Sequence, residues 1–153
     1  TVAHSIRALE REIATIPLRR PTDGRTDVTS GFGMRLDPFI RQLALHTGVD
    51  FRGEPGDPVR AAAAGKVMQA GRNGGYGLMV EIDHGNGLAT RYAHMSSIMT
   101  TEGAIVPAGA IIGRVGSTGR STGPHLHYEI RADGDPLDPQ RFLRAGLRLE
   151  GTY

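Results

Sequence analysis

Two hydrophobic patterns divide the chain, one with a helical period and one that alternates. Through residues 1–16, apolar positions recur every four and then every three residues, at Val2, Ile6, Leu9, Ile13 and Ile16. This heptad pattern predicts an amphipathic helix with Arg and Glu on its polar side. Two heptads are too short to form a coiled coil alone. The stripe therefore either packs on its own domain or ends a longer coiled coil upstream.

Prolines end the helical pattern. Pro17 and Pro21 cannot continue a helix, and we expect an extended linker from Pro17 to Asp27. The chain is thereby predicted to divide into residues 1–27, an N-terminal amphipathic helix with its proline-containing linker, and residues 28–153, a domain of different pattern.

Beyond Val28, short apolar runs alternate with glycine-rich turns, which predicts β-strands. The predicted strands are Val59–Ala64, Gly65–Ala70, Leu78–Asp83, Leu88–Met95, Ile111–Val115 and Leu126–Arg131. Asn86-Gly87 indicates a tight hairpin, because both central residues of that turn adopt positive φ. A strand spacing of about ten residues leaves no room for crossover helices. We predict an all-β antiparallel sheet or sandwich, followed by a short helix from Asp138 to Ala145 that Gly146 closes.

The composition excludes several classes of protein. The absence of Cys excludes thiolate metal sites, Cys nucleophiles and disulfides, and leaves His and carboxylates as metal ligands. A net charge of only +2, with scattered Arg, lacks the basic stripe of a nucleic-acid-binding protein. No apolar run approaches the roughly 20 residues of a membrane span. The chain opens at Thr1 without Met, so we expect any export signal or membrane anchor to lie upstream.

Two histidine motifs carry the candidate chemistry. Alternation along a strand places His125 and His127 on one face, about 7 Å apart. An extended chain likewise places His46 and Asp50 on one side, and Gly48 between them has no side chain to obstruct a shared ion. Either motif alone is compatible with a histidine held by a local hydrogen bond. Together, among Gly, Thr and Pro, they predict a metal site formed by His46, Asp50 and His127.

Three protein ligands and an open fourth position are typical of catalytic zinc. Such a site also needs a group that transfers protons, and no helical His-Glu-x-x-His motif supplies one. His94 and His125 are the available candidates, and we favour His125 as the base because it lies on the strand that carries a ligand. His84, in the Asn86-Gly87 hairpin, is predicted to be structural, and His4 to be solvated.

Longer motifs extend from about Thr29 to Asp138. They comprise Ser30-Gly31-Phe32-Gly33-Met34-Arg35, His46-Thr47-Gly48-Val49-Asp50-Phe51, Gly74-Gly75-Tyr76-Gly77, His84-Gly85-Asn86-Gly87, Tyr92-Ala93-His94-Met95 and Gly119-Arg120-Ser121-Thr122-Gly123-Pro124-His125-Leu126-His127-Tyr128-Glu129. In these motifs the chain resembles the lysostaphin- and LytM-type zinc metallopeptidases, the M23 family of peptidoglycan endopeptidases. The resemblance implies a β-fold with its site in a groove.

The resemblance also implies roles for individual residues. It implies that His46, Asp50 and His127 bind Zn²⁺, and that His94 and His125 form the catalytic pair. It further implies that four residues contact substrate or line the cleft, namely Arg35, Tyr92, Ser121 and Thr122.

We therefore expect residues 28–153 to be a zinc endopeptidase domain that hydrolyses peptide cross-links of peptidoglycan in the periplasm or cell envelope. Arg-rich composition and the heptad entry favour a stem-peptide link over a glycine bridge. An alternative is a non-catalytic adaptor that binds peptidoglycan or activates another wall hydrolase, with the N-terminal helix contacting a regulatory partner. A biotinyl- or lipoyl-type carrier domain ranks last, because Lys66, the single lysine, is not at a hairpin tip and the histidines stay unexplained.

Overall fold

Antiparallel strands dominate the part of the chain that the structure, a computed structural model, describes: residues 2–23, 28–37, 39 and 41–149, without the side chain of Arg35. The strands are β1 Val28–Ser30, β2 Gly33–Leu36, β3 Leu43–His46, β4 Val49–Arg52, β5 Pro58–Arg60, β6 Gly65–Arg72, β7 Leu78–Gly85, β8 Leu88–Ile98, β9 Ile105–Val106, β10 Ile111–Val115, β11 His125–Ala132 and β12 Asp135–Leu137. Two helices, α1 Val2–Ala14 and α2 Pro139–Leu149, flank them, and a 3₁₀ turn spans Gly74–Tyr76.

One large sheet and one separate hairpin contain these strands. The main order is β1-β4-β11-β8-β7-β6-β9, with β10 pairing with β8 and β5, and β12 with β11. Strands β2 and β3 form the hairpin. The pairings are antiparallel, which confirms the predicted fold class. Asn86 and Gly87 have φ values of 53° and 78°, as the predicted hairpin turn requires.

The core packs against one face of the strands at the centre of this sheet. Phe51 of β4, Tyr92 of β8 and Tyr128 of β11 are fully buried. The Tyr128 ring centroid lies 6.2 Å from that of Phe51 and 5.3 Å from that of Tyr92. Because side chains alternate along a strand, this packing directs the neighbouring residues of β4 and β11 to the opposite face. Asp50 and His127 lie there, opposite each other in register.

Several predicted strands end too early, and β8 in particular continues to Ile98. Two further boundary errors have a structural cause. The strand predicted over Val59–Ala64 ends at Arg60, and the alanines that follow form a bend that is largely buried and whose backbone does not continue the strand pairing. The terminal helix does not stop before Gly146 but continues to Leu149. A Cβ at position 146 would lie 2.2 Å from the carbonyl oxygen of Leu18. Gly146 is thus a site of close packing within the helix and not its cap.

The N-terminal helix exposes its apolar stripe. Val2, Ile6, Leu9 and Ile13 are 78%, 51%, 56% and 38% exposed, and no residue of α1 is buried. These four positions of the stripe therefore do not pack into the described part of their own domain, whereas Ile16, beyond the helix, is partly buried. No helix among the described residues is long and apolar enough to span a membrane.

The segment after α1 follows the sheet instead of extending freely. The carbonyl of Pro21 accepts a hydrogen bond from the amide of Arg60, and Thr22 forms a bridge with Val59. Residues 24–27, the end of the predicted linker, lie outside the described residues. A domain boundary after Asp27 stays a prediction.

Candidate metal centre

The predicted ligands converge where β3, β4 and β11 meet. Donor atoms of His46, Asp50 and His127 lie within 4.8 Å of one another, and all three residues are buried. His46 Nε2 lies 3.3 Å from Asp50 Oδ2, and His127 Nδ1 lies 2.8 Å from Asp50 Oδ1. A carboxylate therefore lies between two imidazoles, in an arrangement that could hold one metal ion.

His46 and Asp50 do not share one extended strand, contrary to the sequence prediction. His46 ends β3 and Asp50 lies in β4, with Thr47-Gly48 turning between them. Gly48 is needed for the approach of this turn to β11, since a Cβ there would lie 2.2 Å from the carbonyl oxygen of Tyr128. The glycine thus brings both ligands towards β11.

Hydrogen bonds define which nitrogen of each ligand histidine can bind a metal. Nδ1 of His46 donates to the carbonyl of Gly31 at 2.7 Å, which leaves the Nε2 lone pair directed at Asp50. Nε2 of His127 donates to Oε2 of Glu129 at 2.8 Å, which leaves Nδ1 directed at Asp50. Lone pairs of neutral imidazoles and of a carboxylate would repel each other at these distances unless a proton or a metal ion lies between them. The site therefore fits a cation, and its N, N, O ligand set suits zinc.

Hydrogen bonds between the charged groups around this position shift their pKa values. Burial lowers the pKa of His127, but hydrogen bonds to Asp50 and Glu129 outweigh that effect and raise it to about 9. Burial would raise the pKa of Glu129, yet the hydrogen bond from His127 and those from Thr47 and Arg131 lower it to about 2. The pKa of Asp50 is likewise lowered, because hydrogen bonds from His127 and His46 outweigh its burial. Both carboxylates are thus ionised and turned towards positive charge.

A β-bulge directs His94 into the same space. Leu78 pairs with Met95 and Val80 with Tyr92, so two residues of β8 oppose one residue of β7. His94 adopts φ 61° within this irregularity, and bulges re-aim side chains in this way. Nδ1 of His94 donates to the carbonyl of Thr118 at 2.7 Å. Burial lowers its pKa to about 4, which keeps the imidazole neutral.

His125 lies beside His94 at the start of β11. Their ring centroids are 5.0 Å apart, and Nε2 of His125 lies 3.7 Å from Oδ1 of Asp50. Nδ1 of His125 donates to the carbonyl of Gly123 at 2.8 Å. As in His94, the bonded Nδ1 leaves Nε2 as the nitrogen that can exchange protons.

A cavity of about 610 Å³ opens onto the five residues. Ser121 and Thr122 line it, where the sequence placed them. Tyr92 does not, and its predicted place in the cleft is wrong, because it is fully buried and its hydroxyl bonds Thr90 and the amide of Ala62. The bulge explains the difference: it turns His94 outward while Tyr92 keeps its inward orientation. The side chain of Arg35 lies outside the described residues.

Glu129 is the site residue that sequence reasoning did not assign. It is fully buried, and besides His127 its carboxylate accepts hydrogen bonds from Thr47 at 2.6 Å, Tyr76 at 3.0 Å and Arg131 at 2.8 Å. The available signal was alternation, which places residue 129 on the same strand face as 127.

Comparison with known proteins matches residues 44–139 to Peptidase family M23. The DD-carboxypeptidase/endopeptidase Mpg of Neisseria meningitidis serogroup B is 52% identical over 114 residues, which cover 74% of this chain and 26% of that protein. A zinc-containing peptidase from Vibrio cholerae superposes with a TM-score of 0.74 at 36% identity, covering 78% of this chain and 38% of that one. The lysostaphin catalytic domain from Staphylococcus simulans superposes with a TM-score of 0.71 at 34% identity, and the match covers 78% of this chain and 92% of that domain. The chain spans about a quarter of the length of the curated relatives that it matches.

Proposed function

Because this chain belongs to peptidase family M23, we propose that it is the zinc-dependent catalytic domain of an endopeptidase that hydrolyses peptide cross-links in bacterial peptidoglycan. One observation carries the proposal: a His-Asp-His cluster, open to a cavity, with two further histidines anchored beside it. The names of the Neisseria relative, a DD-carboxypeptidase/endopeptidase, and of the Vibrio structure, a zinc-containing peptidase, support the endopeptidase activity and the metal.

The proposed ligand atoms are Nε2 of His46, an oxygen of Asp50 and Nδ1 of His127. These are the atoms that the hydrogen bonds to Gly31 and Glu129 leave available. When bound, zinc supplies a Lewis acid that polarises the scissile carbonyl and lowers the pKa of a water molecule.

His94 and His125 are the proposed catalytic residues. Both hold their proton at Nδ1 against a backbone carbonyl, so Nε2 of each is free to exchange protons in the cavity. One of the two takes a proton from the attacking water at its Nε2. That same proton is then delivered to the leaving amine nitrogen, either by this imidazolium or by the other histidine after it has received the proton. Ser121 and Thr122, at the cavity wall, are expected to contact the peptide.

Alanine variants of one ligand and one proton-transferring histidine test this proposal. His127→Ala should lose both zinc, measured by mass spectrometry of the protein-bound metal, and the digestion of purified sacculi. His125→Ala should retain zinc and lose most turnover, because it removes proton transfer and leaves the ligands. His4→Ala, on the exposed helix α1, is the matched control and should change neither. Digestion of sacculi by His125→Ala at the wild-type rate would refute the assigned role.

A second candidate function, a wall-hydrolase adaptor, is favoured by the exposed stripe of α1. Glu10 and Glu12 flank this stripe, so two copies packed through it would oppose acidic side chains. A partner helix with basic flanking residues fits better. Stoichiometric zinc without cleavage by the wild-type chain, together with increased activity of an added hydrolase, would favour the adaptor.

The proposed location is the periplasm or cell envelope, because that is where peptidoglycan lies. Cleavage of wall fragments in a periplasmic extract that contains the chain, and its loss from an extract without it, would support this location.

A further inference from the structure

An arginine connects the two walls of the candidate active-site cavity. Arg120 lies between β10 and β11, and its amide bonds the carbonyl of Gly75 at 2.7 Å. Its Nη2 donates to Oδ1 of Asp37 at 3.0 Å, and its guanidinium lies 4.5 Å from the centroid of the Phe39 ring. Asp37 and Phe39 lie in the turn between β2 and β3 and line the cavity. The candidate ligand His46 is the last residue of β3. The contact therefore joins the hairpin wall to the wall that leads into His125.

The ion pair is weakly held. The side chains of Arg120 and Asp37 are 46% and 22% exposed, and solvent screens a pair of this kind so that it adds little net stability. Only Nη2 of the guanidinium has a side-chain hydrogen-bond partner among the described residues. A guanidinium can bind a carboxylate through two parallel N–H groups. Arg120 thus retains donors for a second anion.

Arg120 is also the one Arg or Lys among the described residues that line this cavity. Besides Asp37, two carboxylates among the described residues line it, Asp50 and Glu129, and both are hydrogen-bonded to His127. Among the described residues, Arg120 is therefore the one arginine or lysine that an anionic group of a bound peptide would meet in this cavity.

We propose that Arg120 binds a carboxylate of the peptide substrate, and that Asp37 occupies the guanidinium until that carboxylate displaces it. This inference rests on the proposed function and adds a substrate class to it: peptides with a free carboxylate near the cleaved amide. Stem peptides offer such carboxylates at the C-terminus and on side chains, whereas a glycine bridge has no side-chain carboxylate.

Opposite effects of two substitutions test the inference. Arg120→Gln should lower kcat/KM for a cross-linked stem-peptide dimer at least tenfold, mainly through KM, and Arg120→Lys should restore part of the loss. Asp37→Asn should lower KM two- to fivefold, because it removes the competing carboxylate but keeps an acceptor for the Phe39 amide, 2.8 Å away. Arg148→Gln, an exposed arginine of α2, is the control. Zinc content and Tm should stay unchanged in all four variants.

Matched substrates identify the carboxylate. The same dimer is prepared with its C-terminal carboxylate amidated, and separately with its side-chain carboxylates amidated. Amidation of the carboxylate that binds Arg120 should lower activity with the wild type and cause no further loss with Arg120→Gln. If Arg120→Gln keeps the wild-type preference between free and amidated peptides, or if Asp37→Asn weakens binding as Arg120→Gln does, the inference is wrong and the pair is only structural.

Failure of the proposed function is a separate outcome. If the wild type cleaves none of these peptides, that function is contradicted, and fluorescence anisotropy of the same labelled peptides still tests the carboxylate preference. Equal affinity for free and amidated peptides in that measurement would overturn the role of Arg120.

Discussion

Replacing Glu129 by Gln should weaken zinc binding, because Glu129 determines which nitrogen of His127 faces the candidate metal position. Glu129 is fully buried, and its Oε2 accepts the Nε2 proton of His127 at 2.8 Å. An amide nitrogen at that place would oppose Nε2–H and favour the tautomer with the proton on Nδ1. That proton would block the nitrogen proposed as the ligand. If the amide turns round, its nitrogen opposes Nε of Arg131, which now donates to Oε1 at 2.8 Å.

Either orientation of the amide loses one charge-assisted hydrogen bond and sets two donors against each other. A buried bond to a charged group contributes about 1.5–3 kcal/mol. A loss of about 1.4–2.7 kcal/mol corresponds to a 10- to 100-fold weaker zinc Kd, which is the usual effect of losing a carboxylate behind a ligand histidine. We expect that range, with a fall of about 2 kcal/mol in the free energy of unfolding of the metal-free protein.

Competition with a chromophoric chelator measures the zinc Kd, and urea unfolding measures stability. Glu81→Gln is the matched control: its carboxylate pairs with Arg91 on the same sheet and has no contact with His127. Wild-type zinc affinity in Glu129→Gln would refute the orienting role, whatever its stability. An equal loss of affinity in Glu81→Gln would refute it too.

Two further predictions concern pH and packing. Burial lowers the pKa of His84, whose Nε2 bonds the hydroxyl of Thr90, so the unfolded chain binds the proton more readily. The contribution of neutral His84 to the free energy of unfolding is therefore fully present above the ordinary pKa of 6.5. As the pH decreases below 6.5, this contribution decreases by at most about 1.4 kcal/mol per pH unit. Urea unfolding of zinc-loaded protein between pH 7.5 and about 5 should show a smaller decline in His84→Gln, and an identical decline would contradict the prediction. Gly48→Ala should destabilise the fold by about 3 kcal/mol and reduce zinc content, because its Cβ would meet the carbonyl of Tyr128 at 2.2 Å. Gly123→Ala is the control, because a Cβ at that position would meet nothing within 4 Å. Its stability in thermal unfolding and its zinc content should stay close to wild type. Similar losses in Gly48→Ala and Gly123→Ala would exclude the steric reason.

Local sequence determined much of the fold and was enough to select the candidate ligands. Strand alternation places His127 beside His125 and opposite the core side chain of Leu126, because that pattern depends only on a two-residue period. The Asn86-Gly87 turn follows from local backbone preference in the same way. His46 and Asp50 were paired although the turn between them was missed. An extended chain would put residues four apart on one side but about 13 Å from each other, and it is the Thr47-Gly48 turn that brings His46 Nε2 within 3.3 Å of Asp50 Oδ2.

The tertiary structure decided the features that depend on how distant strands pair. The bulge that separates His94 from Tyr92 comes from the register of β8 against β7. Simple alternation along β8 would put these two side chains on one face. Gly146, expected to end α2, is required by the approach of Leu18, far along the chain.

The surroundings of the site needed the tertiary structure most. Thr47 and Glu129 are 82 residues apart, and Asp37 and Arg120 are 83 apart, yet both pairs are in hydrogen-bond contact. A periodic pattern indicates which face of a strand a side chain occupies, but not which remote side chain lies opposite. The candidate ligands could therefore be found from sequence, whereas the residues that orient them became visible only once β3, β4 and β11 were packed together.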